Sequence, residues 1–183
     1  MSKRDALRAL SNKFPSPPEL TAIMDAALKQ PDRIAAIVVG AVVASMLEKI
    51  IIANIKFKSP DLIGKLFKDR GPLSDLHSKI LIATAFGIID PLAMIELNRM
   101  KVIRNVFAHA RVDVTFDTPE IASEVDGFIL LGALRAGLDT MENPPVITNK
   151  WAFVTIVRIF CSQISENHKE LSGAALFAQP PSI

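Results

Sequence analysis

Four times along this chain a residue able to cap a helix stands directly before a proline: Ser16-Pro17, Ser59-Pro60, Asp90-Pro91 and Thr118-Pro119. The pairing suits a helix start. The side-chain oxygen accepts one of the backbone N–H groups that the first turn leaves unpartnered. The proline takes the first helical position, where no N–H is needed. The same proline biases the residue before it away from helix, so each pair also stops what precedes it. Between these marks the periodicity predicts helices over about 17–29, 32–57, 60–68, 73–88, 91–109, 119–140 and 147–172. Arg70-Gly71-Pro72 and Asn143-Pro144-Pro145 read as connectors, and the alternation from Val112 to Phe116 reads as a short extended piece.

The faces of these helices say how they pack. In 91–109, Leu92, Ile95, Met100, Ile103 and Phe107 form one apolar stripe, with Glu96, Arg99 and Lys101 on a wet flank. The last helix is apolar nearly all round at its centre, through Ala152, Val154, Ile156, Val157, Ile159, Phe160 and Ile164. Ile34 to Leu47 carries no charge, but Glu48 and Lys49 end the run before the ~20 residues a membrane span needs. A buried helix is the better reading. Such elements cover their apolar faces against one another, which gives an all-α fold, a single-domain helical bundle with a long buried central helix. Residues 1–15 read as an N-terminal arm, 16–174 as the domain and 175–183 as a frayed tail.

Composition narrows the function classes. With 183 residues, half of them hydrophobic, a core is within reach without staples. A net charge of +2 is no footprint for a dedicated nucleic-acid binder. Without tyrosine, and with Trp151 alone, there is little surface on which to stack bases. Cys161 is the single cysteine, so no disulfide framework or cysteine metal cluster is expected, and its apolar helix makes it a core thiol. His77 and His168 read as lone surface histidines, and no metal or cofactor is expected. The basic run Lys56, Lys58, Lys65, Lys68 and Arg70 reads as a solvated flank. Met1 to Asp5 has no apolar leader character, so the expected compartment is the cytoplasm, with no membrane partner.

Gly71-Pro72-Leu73-Ser74-Asp75-Leu76, followed by a helix carrying Lys79 and closing at Phe86-Gly87-Ile88-Ile89, then by one ending on Arg104 and His109, resembles the mannitol operon repressor family. The later Phe116-Asp117-Thr118-Pro119-Glu120-Ile121 looks like that family's capped helix start after the histidine. The resemblance covers about residues 57 to 121. It implies an all-α transcriptional regulator that acts through a protein partner. In agreement, no segment here offers a helix-turn-helix with an exposed basic recognition helix. Asp75 itself reads as the cap of the helix after it.

Arg104-Asn105, three residues, then His109 also resembles the signature of the HEPN superfamily of helical ribonucleases and nucleotide-binding modules. That resemblance implies His109 as the proton-transfer residue, Arg104 as the phosphate clamp and Asn105 as the group orienting one of them. It also implies two such motifs meeting across a dimer, without metal. Metal-free RNA cleavage needs a base for the 2′-hydroxyl and a cation for the crowded phosphate. On a regular helix, residues five apart stand about 140° around the axis, so Arg104 and His109 do not share a face unless the helix loosens or two chains meet. The structural alternative pairs Arg104 with Glu48 or Glu96 and sets His109 against the last helix carbonyls. Glu48, interrupting an apolar helix, reads as partly buried and paired, or else as facing Arg104 and tuning His109. The leading expectation is a self-associating regulatory protein with a protein partner and no catalytic activity. The alternative is a metal-independent ribonuclease or a module that binds RNA or nucleotide, whether active or an inactive scaffold.

Overall fold

The computed structural model describes residues 14–68 and 70–175, with side chains as far as 166. The expected N-terminal arm and tail, and the side chain of His168, lie outside the described residues, Phe14 and Pro15 at the arm's end and the backbone of Ala175 at the tail's start excepted. Within them the chain forms α1 (Pro17–Leu28), α2 (Asp32–Asn54), α3 (Pro60–Phe67), α4 (Leu76–Ala85), α5 (Pro91–His109), α6 (Pro119–Asp126), α7 (Ile129–Leu138) and α8 (Asn149–Ala175), with no strand.

α2 is the centre of the bundle, packed against α8, α5, α4 and α1. Its inward face, from Ala35 and Val39 through Val43 and Leu47 to Ile50, is fully covered. By length and composition alone α2 could cross a membrane. Here half of its most apolar window is buried inside the bundle, which accounts for that apolarity. α8 is covered without a break from Ala152 to Val157, as its all-round apolarity requires. Phe107, Phe116, Phe153 and Phe128 stack tilted on one another, with centroids 4.7, 5.1 and 6.4 Å apart, and tie α5, α8 and the loops before α6 and α7 together.

The proline marks locate the helices well, but they work by different bonds. Ser59 Oγ accepts from the Leu62 amide at 3.1 Å and Asp90 Oδ1 from the Ala93 amide at 2.7 Å. Ser16 and Glu19 form a capping box, in which the Glu19 carboxylate accepts the Ser16 amide at 2.9 Å and the Ser16 hydroxyl at 2.7 Å. Thr118 turns back to the Thr115 amide and leaves its own helix uncapped.

Three expectations need correction. The 119–140 segment is two helices, broken at Gly127-Phe128. The Arg99 guanidinium lies where a Cβ on Gly127 would stand, and Phe128 turns into the core. The stripe of α5 is displaced: Leu92 and Ile95 are exposed, and Ala93, Glu96, Leu97, Met100, Ile103 and Phe107 face inward. Glu96 goes inside because its carboxylate accepts the first amides of α7, Ile129 at 2.8 Å and Leu130 at 3.4 Å. Finally, Val112 to Phe116 pairs with no strand. It is strapped to the start of α2 by Arg33, which donates to the carbonyls of Ala110 and Val112, and by Asp32, which accepts the Phe116 amide.

Candidate functional site

The end of the Gly71–Leu76 motif and the Arg104-Asn105 pair meet at one cavity of about 350 Å³ between α2, α4 and α5. α2 supplies Gly40, Ala41 and Ala44, three small residues that leave the space open. The loop into α4 supplies Ser74 to His77, and α5 supplies Lys101, Arg104 and Asn105. A second cavity, about 270 Å³ between Ile88-Ile89-Asp90 and α8, is lined by apolar residues with Asp90, Gln163 and Glu166, and has no cation among the described residues.

The loop that builds the second wall is fixed by backbone packing. Leu73 donates to the Leu66 carbonyl at 2.8 Å, and Gly71 donates to the Lys68 carbonyl at 2.8 Å. A Cβ on Gly71 would run into the carbonyl oxygens of Lys65 and Leu66, so only glycine fits this turn over the end of α3. Asp75 then caps α4, accepting the Ser78 amide at 3.0 Å and the Ser78 hydroxyl at 2.7 Å. Those two bonds, the backbone one foremost, hold the Asp75 carboxyl below its ordinary range, so it stays ionised and spent on its own helix. At the far end Gly87 takes φ +65°. Its amide and that of Ile88 close α4 on the carbonyls of Thr84 and Ala83, a glycine C-cap with the Schellman bond pattern. Lys79 is buried and makes a 2.7 Å ion pair with Glu48, its ammonium 5.9 Å from the centre of the Phe67 ring. Gly71, Asp75, Lys79 and Gly87 thus set the position of α4, and Pro72, Leu73 and Leu76 complete its entry turn.

That geometry corrects the expected partners of Arg104. Glu48 is committed to Lys79 and Glu96 to α7, so neither meets Arg104, and Glu48 does not face His109 as a tuning group. Arg104 donates instead to Asn105 Oδ1 at 3.0 Å. Its aliphatic stem is seated on Gly40, where a Cβ would come within 2.7 Å of Arg104 Cγ. Lys101 Nζ stands 3.1 Å from His77 Nδ1. A lysine ammonium has only donors, so Nδ1 accepts in this arrangement and the other ring nitrogen carries the proton. His109, the last residue of α5, is exposed and does not line the cavity. α5 stays helical through His109, so Arg104 and His109 remain on different sides of it.

Arg104 and Asn105 stood out in the sequence; Gly40, Ser74, His77 and Lys101 did not. The available signals were the glycine inside a charge-free helix and the spacing of Lys101, Arg104 and Asn105, which puts them on one face. His77 has no sequence signal, because its partner comes from another helix. Among the described residues no group of His, Cys, Asp and Glu is placed to hold a metal ion. Cys161 is buried in α8, and burial pushes its thiol up to about 12.

No family model matches the chain. No curated protein matches it either. Among solved structures, the crystal structure of a possible transcriptional regulator, YggD from Shigella flexneri 2a, matches with a TM-score of 0.59 at 12% sequence identity. The match covers 87% of this chain and 98% of that one. At that identity the likeness is one of fold.

Proposed function

We propose that this chain is a helical regulatory protein of the mannitol-repressor type, acting in the cytoplasm through protein contacts rather than by reading DNA itself. The observation that carries this reading is the fold it shares with a possible transcriptional regulator over 87% of its length. The resemblance carried by Gly71 to Leu76 supports it from the sequence side. The basic run on and around α3 is exposed, with Lys65 paired to Asp61 at 2.7 Å, as a solvated flank would be. An outward row of apolar side chains on α5, described below, suits contact with protein better than contact with phosphate.

The test has two arms. Deleting the gene is expected to change the transcripts of a limited set of genes. The purified protein alone is expected to leave duplexes from their promoters unretarded at moderate salt. An unchanged transcript profile, or sequence-specific retardation by the protein alone, sinks the reading.

The nuclease reading keeps one observation in its favour. His109 is open to solvent and continues the row of Val102 and Val106 along α5, so two copies meeting on that helix would bring two such motifs close. RNA cleavage in EDTA, lost in both His109→Ala and Arg104→Ala while fold and association state persist, would replace the regulatory reading with this one.

A further inference from the structure

We infer that the cavity between α2, α4 and α5 binds the phosphate group of a small phosphate monoester, held by Arg104 and Lys101. The binding is argued from the cavity alone and stands apart from the regulatory reading above.

The first argument is charge without a partner. Arg99, Arg135 and Arg158 each face a carboxylate, at 3.0, 2.7 and 4.0 Å. Arg104 and Lys101 face none among the described residues; their bonds go to an amide oxygen and an imidazole nitrogen. The one carboxylate at the cavity, Asp75, is held by Ser78 at the start of α4. Two cations against one engaged carboxylate leave the cavity positive. A phosphate monoester carries roughly −1.5 to −2 charge near neutrality and accepts on three oxygens, which suits a planar guanidinium beside a compact ammonium.

The second argument is the seat of Arg104. A glycine inside a helix costs about 0.5–1 kcal/mol against alanine. Gly40 is mid-helix in α2, buried, and in contact with the Arg104 stem where a Cβ would intrude. The chain therefore gives up helix stability at the point that lets an arginine without a carboxylate partner lie against the cavity wall. Asn105 accepts from the same guanidinium and fixes its plane. The third argument is size. At about 350 Å³ the cavity holds more than inorganic phosphate fills and falls at the small end of ligand pockets. The rest of that volume leaves room for a short organic portion, and Ser74 in the lining offers a hydroxyl partner for it.

Calorimetric titration of the intact protein at constant ionic strength tests this, with glycerol phosphate, inorganic phosphate and glycerol as probes. Glycerol phosphate is expected to bind once per chain, inorganic phosphate more weakly, and glycerol not at all. Arg104→Gln and Lys101→Gln should each weaken glycerol phosphate by roughly tenfold or more, the usual loss for a hydrogen bond to a charged group. Gly40→Ala should weaken it too, by unseating Arg104, and Lys65→Gln should not change it. Circular dichroism and melting curves show whether each variant is folded; if Gly40→Ala is not, Arg104→Gln decides. No binding of either phosphate at millimolar concentration overturns the proposal. So does binding indifferent to Arg104→Gln, or an Arg104-dependent affinity for a short RNA that exceeds that for glycerol phosphate. None of these outcomes depends on what the protein does to transcription.

Discussion

Glu96 has no solvent exposure at all, and a buried carboxylate is tolerated only where donors meet it. Here they are the amides of Ile129 and Leu130, which α7 would otherwise leave open at its start, since Phe128 has no capping side chain. Glu96→Ala should therefore destabilise the protein by about 1–3 kcal/mol for the donors it orphans, beyond any loss of packing. Glu96→Gln keeps the shape and one good acceptor and should lose less. Denaturant unfolding of both variants checks the order; equal losses would mean that shape, not acceptance, is what position 96 supplies. Nothing in the local sequence announces this role, because the partner amides lie 33 and 34 residues ahead. Cys161 is the opposite case, readable from its apolar neighbours. Its thiol is raised from 9.0 to about 12 by burial, so the folded state favours the protonated form. The contribution is intact below pH 9.0 and is lost as pH rises towards about 12. Native protein should resist thiol alkylation at neutral pH and react fully in denaturant, and Cys161→Ala should flatten the alkaline fall in stability. Ready alkylation of the native protein would contradict the burial.

At the scale of elements, α4 shows what a motif of glycines, an aspartate and a lysine does when it is architectural. Gly71 permits the turn over α3, Asp75 starts the helix, Lys79 pins it to α2 and Gly87 ends it. Gly87 has open space around an added Cβ, so Gly87→Ala costs only the backbone strain of φ +65°, about 1–2 kcal/mol. Gly71→Ala meets carbonyl oxygens and should cost more, by displacing the loop that walls the cavity. Thermal unfolding ranks the two, and the reverse order would show that the loop yields freely. Helix starts were legible in the sequence because caps and prolines are local chemistry. The ends and breaks were less so. α4 starts three residues later than its periodicity suggests, because residues 73–75 are held by α3 and by the cap itself. The Gly127 break depends on an arginine from α5.

For the whole molecule, the order of helices and the central place of α2 follow from apolar patterning, since a charge-free helix can be covered only from several sides at once. The cavity does not follow from any one segment. It needs α2 to be small where α5 is cationic, and the loop after α3 to close the third side. The same assembly leaves one surface uncovered. Leu92, Ile95, Val102 and Val106 are 40–45% exposed and stand in one outward row along α5. With Arg99 between them they are spaced by threes and fours, the pattern of a helix seam. The row runs the length of a 19-residue helix, and a second copy of α5 matches it in length and spacing. Wild-type protein is therefore expected to self-associate in sedimentation velocity. Val102→Asp combined with Val106→Asp should shift it towards the monomer while leaving each chain folded, because neither side chain belongs to the buried face of α5; the melting temperature should fall only by what association adds, and lose its dependence on protein concentration. A wild-type chain that stays monomeric at high concentration would contradict the pairing. It would also remove the geometric route by which two His109 side chains could meet.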